Sequence, residues 1–176
     1  MPPLSDLLDR LARIEAERDI YNVLTTYARA LDYGLEQDFL ACFTSDCVYE
    51  MRYTGRVDAP NFPIRGGRAI ANGVRYEGHE ELRQFAAQHT RAPDVYHKHI
   101  AVNPQIKVEG NRASSECYYV RLDVEPSGSV YARGFGRYLD KLKKGSDERW
   151  RLAERIAEVE ALDLRPYREP PRHTGE

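Results

Sequence analysis

Four strand-length segments stand in tandem in the second half of the chain, and they limit the fold more than any other feature. Residues 97–108, 112–124, 129–142 and 149–161 are strand-like in composition and pattern. Turn-forming residues separate them: Glu109-Gly110-Asn111, Pro126-Ser127-Gly128 and Lys144-Gly145-Ser146-Asp147. Connections this short join antiparallel neighbours, because a parallel crossover needs about a dozen residues or more.

The first half has a different period. Leu4, Leu8, Leu11 and Ile14, then Ile20, Leu24, Tyr27, Ala28 and Leu31, recur at helical spacing. They predict one long helix, or two meeting near residues 16–18, stopped at Asp32-Tyr33-Gly34 by the glycine. A short helix over 35–43 and a strand over 47–53 follow. Residues 54–73 hold Gly55, Pro60, Pro63, Gly66, Gly67 and Gly73 and read as a long loop or flap. A short strand over 74–76 and a helix from Gly78 to about Thr90 complete the half. Helices followed by hairpin-linked strands imply an α+β fold with a curved, mostly antiparallel sheet. At 176 residues the chain is expected to form one domain over 1–164. Residues 165–176, with three prolines and many charges, read as a loose arm or one that wraps a partner subunit.

The charge balance narrows the partners. Lys and Arg number 26 and Asp and Glu 28, a net charge of -2 with both signs mixed along the chain. Nucleic acid or an anionic membrane would call for a basic face, so neither is expected. No apolar run approaches the ~20 residues that span a bilayer. The start, MPPLSDLLDR, lacks the basic lead and apolar run of a signal peptide. Cys42, Cys47 and Cys117 are odd in number and scattered, which fits buried thiols in a reducing cytoplasm. There is no CxxC or HExxH spacing, so no metal is expected. Gly66-Gly67 lacks the third glycine and the strand–helix frame of a dinucleotide site, so no nicotinamide or flavin cofactor is expected either.

Two of the five histidines lie two residues apart on the first of the four strands. His97, His99, Ala101 and Asn103 share a face there. Imidazole can take and return a proton near neutrality, and a carboxylate on its far nitrogen fixes the tautomer. Asp32 is the candidate carboxylate. It sits at a helix C-terminus, where the macrodipole disfavours an anion and a compensating partner is in order. His97, at the strand's entrance, reads as rim; His79 and His89 read as surface. Twelve tyrosines against five phenylalanines suggest an apolar cavity able to donate hydrogen bonds, with core packing as the alternative for each one. Asn103 can orient a substrate, or serve as an ordinary bulge device before Pro104.

Several fragments in order carry a family resemblance: TYARALDYG (residues 26–34), DFLACFTSDCVYE (38–50), GHEELRQF (78–85), KHIAVNPQIKVEGNRASSECYYV (98–120) and GRYLDKLKKGSDERWRLAER (136–155). Together they resemble the SnoaL-like branch of the NTF2-like superfamily, over roughly residues 14–159. The resemblance implies a cone of helices on a strongly curved sheet, enclosing a pocket. The branch is functionally mixed: it includes scytalone and bile-acid 7α-dehydratases, cyclases, isomerases and the small subunits of ring-hydroxylating dioxygenases, so fold does not settle function. The site residues are most similar to the dehydratases. By that likeness Asp32 and His99 would be the acid–base pair and Tyr27 a partner on the same helix. Tyr49 or Tyr53 would line the pocket floor, and Tyr118 the next strand. Asn103 and Phe135 complete the candidate substrate contacts. The implied activity is a cofactor-independent lyase acting on a hydrophobic aromatic, steroid-like or polycyclic molecule. The alternatives are an isomerase or cyclase with the same dyad, or a non-catalytic binding or dioxygenase-subunit role. A homodimer or homotrimer would form across a sheet face bearing Tyr131, Arg133, Arg137 and Leu139.

Overall fold

The computed structural model describes residues 2–54, 66–125 and 127–163. The expectation of an arm over 165–176 lies outside the described residues, as does most of the 54–73 flap. The leading helical pattern is one continuous helix, α1 (Leu4–Tyr33), with no break near 16–18. Its C-terminal half buries Ile20, Leu24, Tyr27, Ala28 and Leu31 at the spacing read from sequence, while Leu4, Leu8, Leu11 and Ile14 are exposed. Gly34 ends it in the left-handed region (φ 67°), donating its N–H to the carbonyls of Ala30 and Leu31. That conformation costs glycine nothing.

A short α2 (Glu36–Ala41) leads into β1 (Phe43–Tyr53), which begins four residues earlier than its apolar pattern suggests. Thr44-Ser45-Asp46 has no strand-like alternation, but the segment is drawn into the sheet beside the last strand. Within the expected flap, β2 (Arg68–Ile70) pairs with β3 (Gly73–Glu77), and α3 (Gly78–Gln88) follows. Then come the four long strands: β4 (His97–Glu109), β5 (Arg112–Val124), β6 (Val130–Lys144) and β7 (Trp150–Leu162).

The seven strands form one sheet in the order β2-β3-β1-β7-β6-β5-β4. Every ladder is antiparallel except β1 with β7, which is parallel. The fold is therefore α+β, with α1 and α3 packed on a mixed, mostly antiparallel sheet. One closed core holds it together. Tyr27, Phe39, Phe43, Tyr49 and Phe85 meet with ring centroids 4.9 to 6.4 Å apart. Beneath them Arg155, fully buried, forms two 2.8 Å hydrogen bonds to Asp140. Its guanidinium lies 4.1 Å from the Tyr27 ring centroid and 4.3 Å from that of Tyr138. The two rings, edge to face with each other, and a bidentate carboxylate offset the desolvation of this cation.

Candidate active site

Alternation along β4 turns His97 and His99 towards the helices. His97 is 2% exposed, so it is interior and not rim. Asp32, in the last turn of α1 and also 2% exposed, meets both rings. His99 Nδ1 lies 2.6 Å from Asp32 Oδ1, and the His99 backbone N–H donates to Oδ2 at 3.0 Å. His97 Nε2 approaches the same Oδ1 at 3.2 Å, close enough for an ion pair but off the line of a hydrogen bond. One carboxylate thus ties the end of the helix to the start of β4.

Burial alone would raise the Asp32 carboxyl. The two imidazoles and the His99 amide outweigh it and hold the group well below its ordinary range, so it is ionised. Burial lowers His99, and Asp32 only partly restores it. The ring is therefore neutral near pH 7. With its Nδ1–H donated to Asp32, its Nε2 lone pair remains available.

His99 opens onto a cavity of about 150 Å³, bordered also by His89, Tyr27, Tyr49, Tyr53 and Tyr119. Cavities of roughly this size accommodate a single aromatic ring. The Tyr27 and Tyr49 hydroxyls are hydrogen-bonded to each other at 3.2 Å. Burial raises the Tyr27, Tyr49 and Tyr53 phenols, which keeps them protonated and able to donate. Both Tyr49 and Tyr53 border the cavity, so the choice between them dissolves.

Three expected substrate contacts lie elsewhere. Tyr118 is 54% exposed on the far face of the sheet, because on β5 it is the odd-numbered residues that turn inward and bring Tyr119 to the cavity. Phe135 is 49% exposed, since β6 turns its neighbour Gly134 to the cavity instead. Asn103 sits in a β-bulge with φ 54°, and the extra residue there reverses the phase of the strand. It is exposed, while Ile106 and Val108 take over the inward face.

His89, expected at the surface, closes the triangle. Its ring centroid is 5.0 Å from that of His97 and 5.3 Å from that of His99. Burial first, then the neighbouring His99 and Arg121, push its imidazole well below the ordinary range. Its position just past α3 gave no sign of this in sequence, because it depends on the segment after α3 meeting the start of β4 in the fold. Arg121 also borders the cavity and is neutralised by Asp123 through contacts of 2.7 and 3.1 Å.

Residues 12–156 match the SnoaL-like domain family. The chain is a SnoaL-like protein. Solved structures agree on the fold of this SnoaL-like chain, among them several from Novosphingobium aromaticivorans. An NTF2-like protein with a cystatin-like fold is 16% identical with TM-score 0.68, covering 90% of this chain and 91% of its own. The beta subunit of a provisionally named aromatic-ring-hydroxylating dioxygenase is 19% identical with TM-score 0.66, covering 92% and 99%. A provisionally named scytalone dehydratase is 19% identical with TM-score 0.63, covering 93% and 97%. At such identities these likenesses establish the SnoaL-like architecture and not the reaction. No curated protein matches the sequence.

Proposed function

We propose that this protein is a cofactor-independent lyase that eliminates water from a small hydrophobic ring compound carrying a hydroxyl β to a carbonyl. The observation that supports this best is the 2.6 Å Asp32–His99 contact at the wall of an apolar cavity. In this reading His99 Nε2 removes the proton α to the carbonyl, and Asp32 stabilises the imidazolium that forms. The electron pair moves onto the carbonyl oxygen, which receives a phenol hydrogen bond from the Tyr27–Tyr49 pair. Collapse of the enolate expels the β-hydroxyl, which leaves as water with the proton returned from the imidazolium. His89, across the cavity, can hold the leaving oxygen. The cavity volume favours one ring over a steroid-sized substrate.

The similarity to a provisionally named scytalone dehydratase fits this reading. Likeness to a dioxygenase beta subunit favours a second one, a structural or binding role. A subunit without chemistry has no need of a neutral imidazole locked by a buried carboxylate. The three buried free thiols suit a reducing cytoplasm. No helix among the described residues is long and apolar enough to cross a membrane. Assembly as a homodimer or homotrimer would cover exposed Tyr118 and Phe135 on the outer face of the sheet.

The decisive experiment offers the purified protein a panel of cyclic β-hydroxy ketones and follows the ultraviolet absorbance of the conjugated product. His99→Gln and Asp32→Asn should each lower kcat by about 10³-fold or more with little change in thermal midpoint. Equal turnover by the His99 variant would remove the elimination reading. Co-purification with a large iron-containing partner would favour the subunit role. Sedimentation of the same samples gives the oligomer number.

A further inference from the structure

We propose that His89, His97 and His99 form a binding site for a divalent first-row transition metal, with zinc as its best-suited occupant. One ring nitrogen from each of the three lies within 4.8 Å of the others. Three imidazoles gathered this closely match the donor set of an open zinc site with three protein ligands, the fourth position being left for water or a ligand.

The surroundings support this in a way that a chance cluster would not. A metal-bound imidazole usually has its remote nitrogen held by a carboxylate or a backbone carbonyl. Here His89 Nδ1 is 2.8 Å from the Thr90 carbonyl oxygen, and His99 Nδ1 is 2.6 Å from Asp32 Oδ1. His97 Nε2 faces the same Asp32 oxygen at 3.2 Å. With those nitrogens engaged, Nε2 of His89, Nδ1 of His97 and Nε2 of His99 are the donors that remain. His97 is the most telling of the three. It is 2% exposed; Nε2 has the off-line Asp32 contact, and Nδ1 has no hydrogen-bond partner among the described residues. A buried ring nitrogen left unbonded is costly, and a bound cation would satisfy it.

The charges also permit a cation. Asp32 is an anion in direct contact with two of the ligands. The guanidinium of Arg121, which borders the cavity, is held by Asp123 at 2.7 Å, a carboxylate it shares with Arg133 at 3.6 Å. Zinc bonds of about 2.0–2.1 Å set tetrahedral nitrogens about 3.4 Å apart, against a spread of up to 4.8 Å for the nearest set of ring nitrogens, so the rings must turn and close on binding. His89 follows α3 at its C-terminal end, where the backbone has already left the helix, and supplies that movement.

The site stands on its own donor geometry and does not need the elimination reading. The two compete for one lone pair: a metal on His99 Nε2 removes the base, so occupancy should inhibit turnover by that route.

Calorimetric titration of the chelator-treated full chain with zinc chloride tests the proposal, with cobalt(II) absorbance reporting a tetrahedral site. One saturable equivalent is expected. His97→Gln and His89→Gln should each weaken zinc binding by at least tenfold, and Asp32→Asn by about 10–100-fold. Absence of a saturable equivalent, or parental affinity in a folded His89→Gln variant, would overturn the site. If His97→Gln fails to fold, the partly exposed His89 decides alone. Turnover of the chelator-treated protein is read separately: loss of activity there refutes the cofactor-independent lyase, whereas failure to bind zinc refutes only the metal site.

Discussion

At the scale of single residues, the two central phenols act as a pair. Their hydroxyls lie 3.2 Å apart, so a substrate oxygen that takes the proton of one is backed by the other. Tyr49→Phe and Tyr27→Phe should each lower kcat by about tenfold or more. The double variant should lose less than the product of the two single losses, because the pair is coupled. Steady-state kinetics on the three variants checks this, and a fully multiplicative loss would mean that the hydroxyls act apart. The dyad was legible in sequence mainly through the family likeness: the local marks, a carboxylate at a helix end and two histidines on one strand face, did not by themselves separate His99 from His97. His89 and Tyr119 carried no such mark. Tyr118 and Tyr119 are chemically identical neighbours, and only the phase of β5 separates them.

At the scale of elements, strand phase accounts for most of what sequence reading missed. The four long strands and their turns are plain in the sequence, since alternation and turn chemistry are local. A bulge is not. The Asn103 bulge moves the inward set from His97, His99 and Ala101 to Ile106 and Val108 within one strand. The expectation of Asn103 in the pocket failed because it carried a period of two across that extra residue. The bulge rests on a left-handed backbone at Asn103, which asparagine tolerates and β-branched residues do not. Asn103→Val should destabilise the fold by about 1–2 kcal/mol, and Asn103→Gly should change stability little. Urea unfolding midpoints of the two variants measure the contrast. The early start of β1 was hidden for a related reason: Phe43 pairs with Leu152 of β7, far away in sequence, and the polar residues 44–46 fall in the register shift before Val48, where no alternation marks them.

For the molecule as a whole, the most demanding element is the buried cation at its centre. Arg155 and Asp140 are both almost fully buried, and Tyr27 and Tyr138 cover the guanidinium. Asp140→Ala would strand that charge and should cost about 3–5 kcal/mol, enough to remove much of a typical domain's stability. Denaturant unfolding followed by circular dichroism measures it. An apolar replacement of both partners, Asp140→Leu with Arg155→Met, should recover a good part of the loss.

The parallel pairing of β1 with β7 also sets the order in which the chain can be assembled. Thr54 reaches Val159, 105 residues away, and β2 to β6 lie between β1 and β7 along the chain. As the polypeptide leaves the ribosome, the β1–β3 ladder and the hairpins of β4 to β6 can close from nearer residues while β1 waits for its second partner. The wall that carries Tyr49 and Tyr53 joins the histidines only after Trp150–Leu162 has emerged. Loop closure over such a span is slow, and until it is complete the apolar rings of the nascent chain stay open to chaperones.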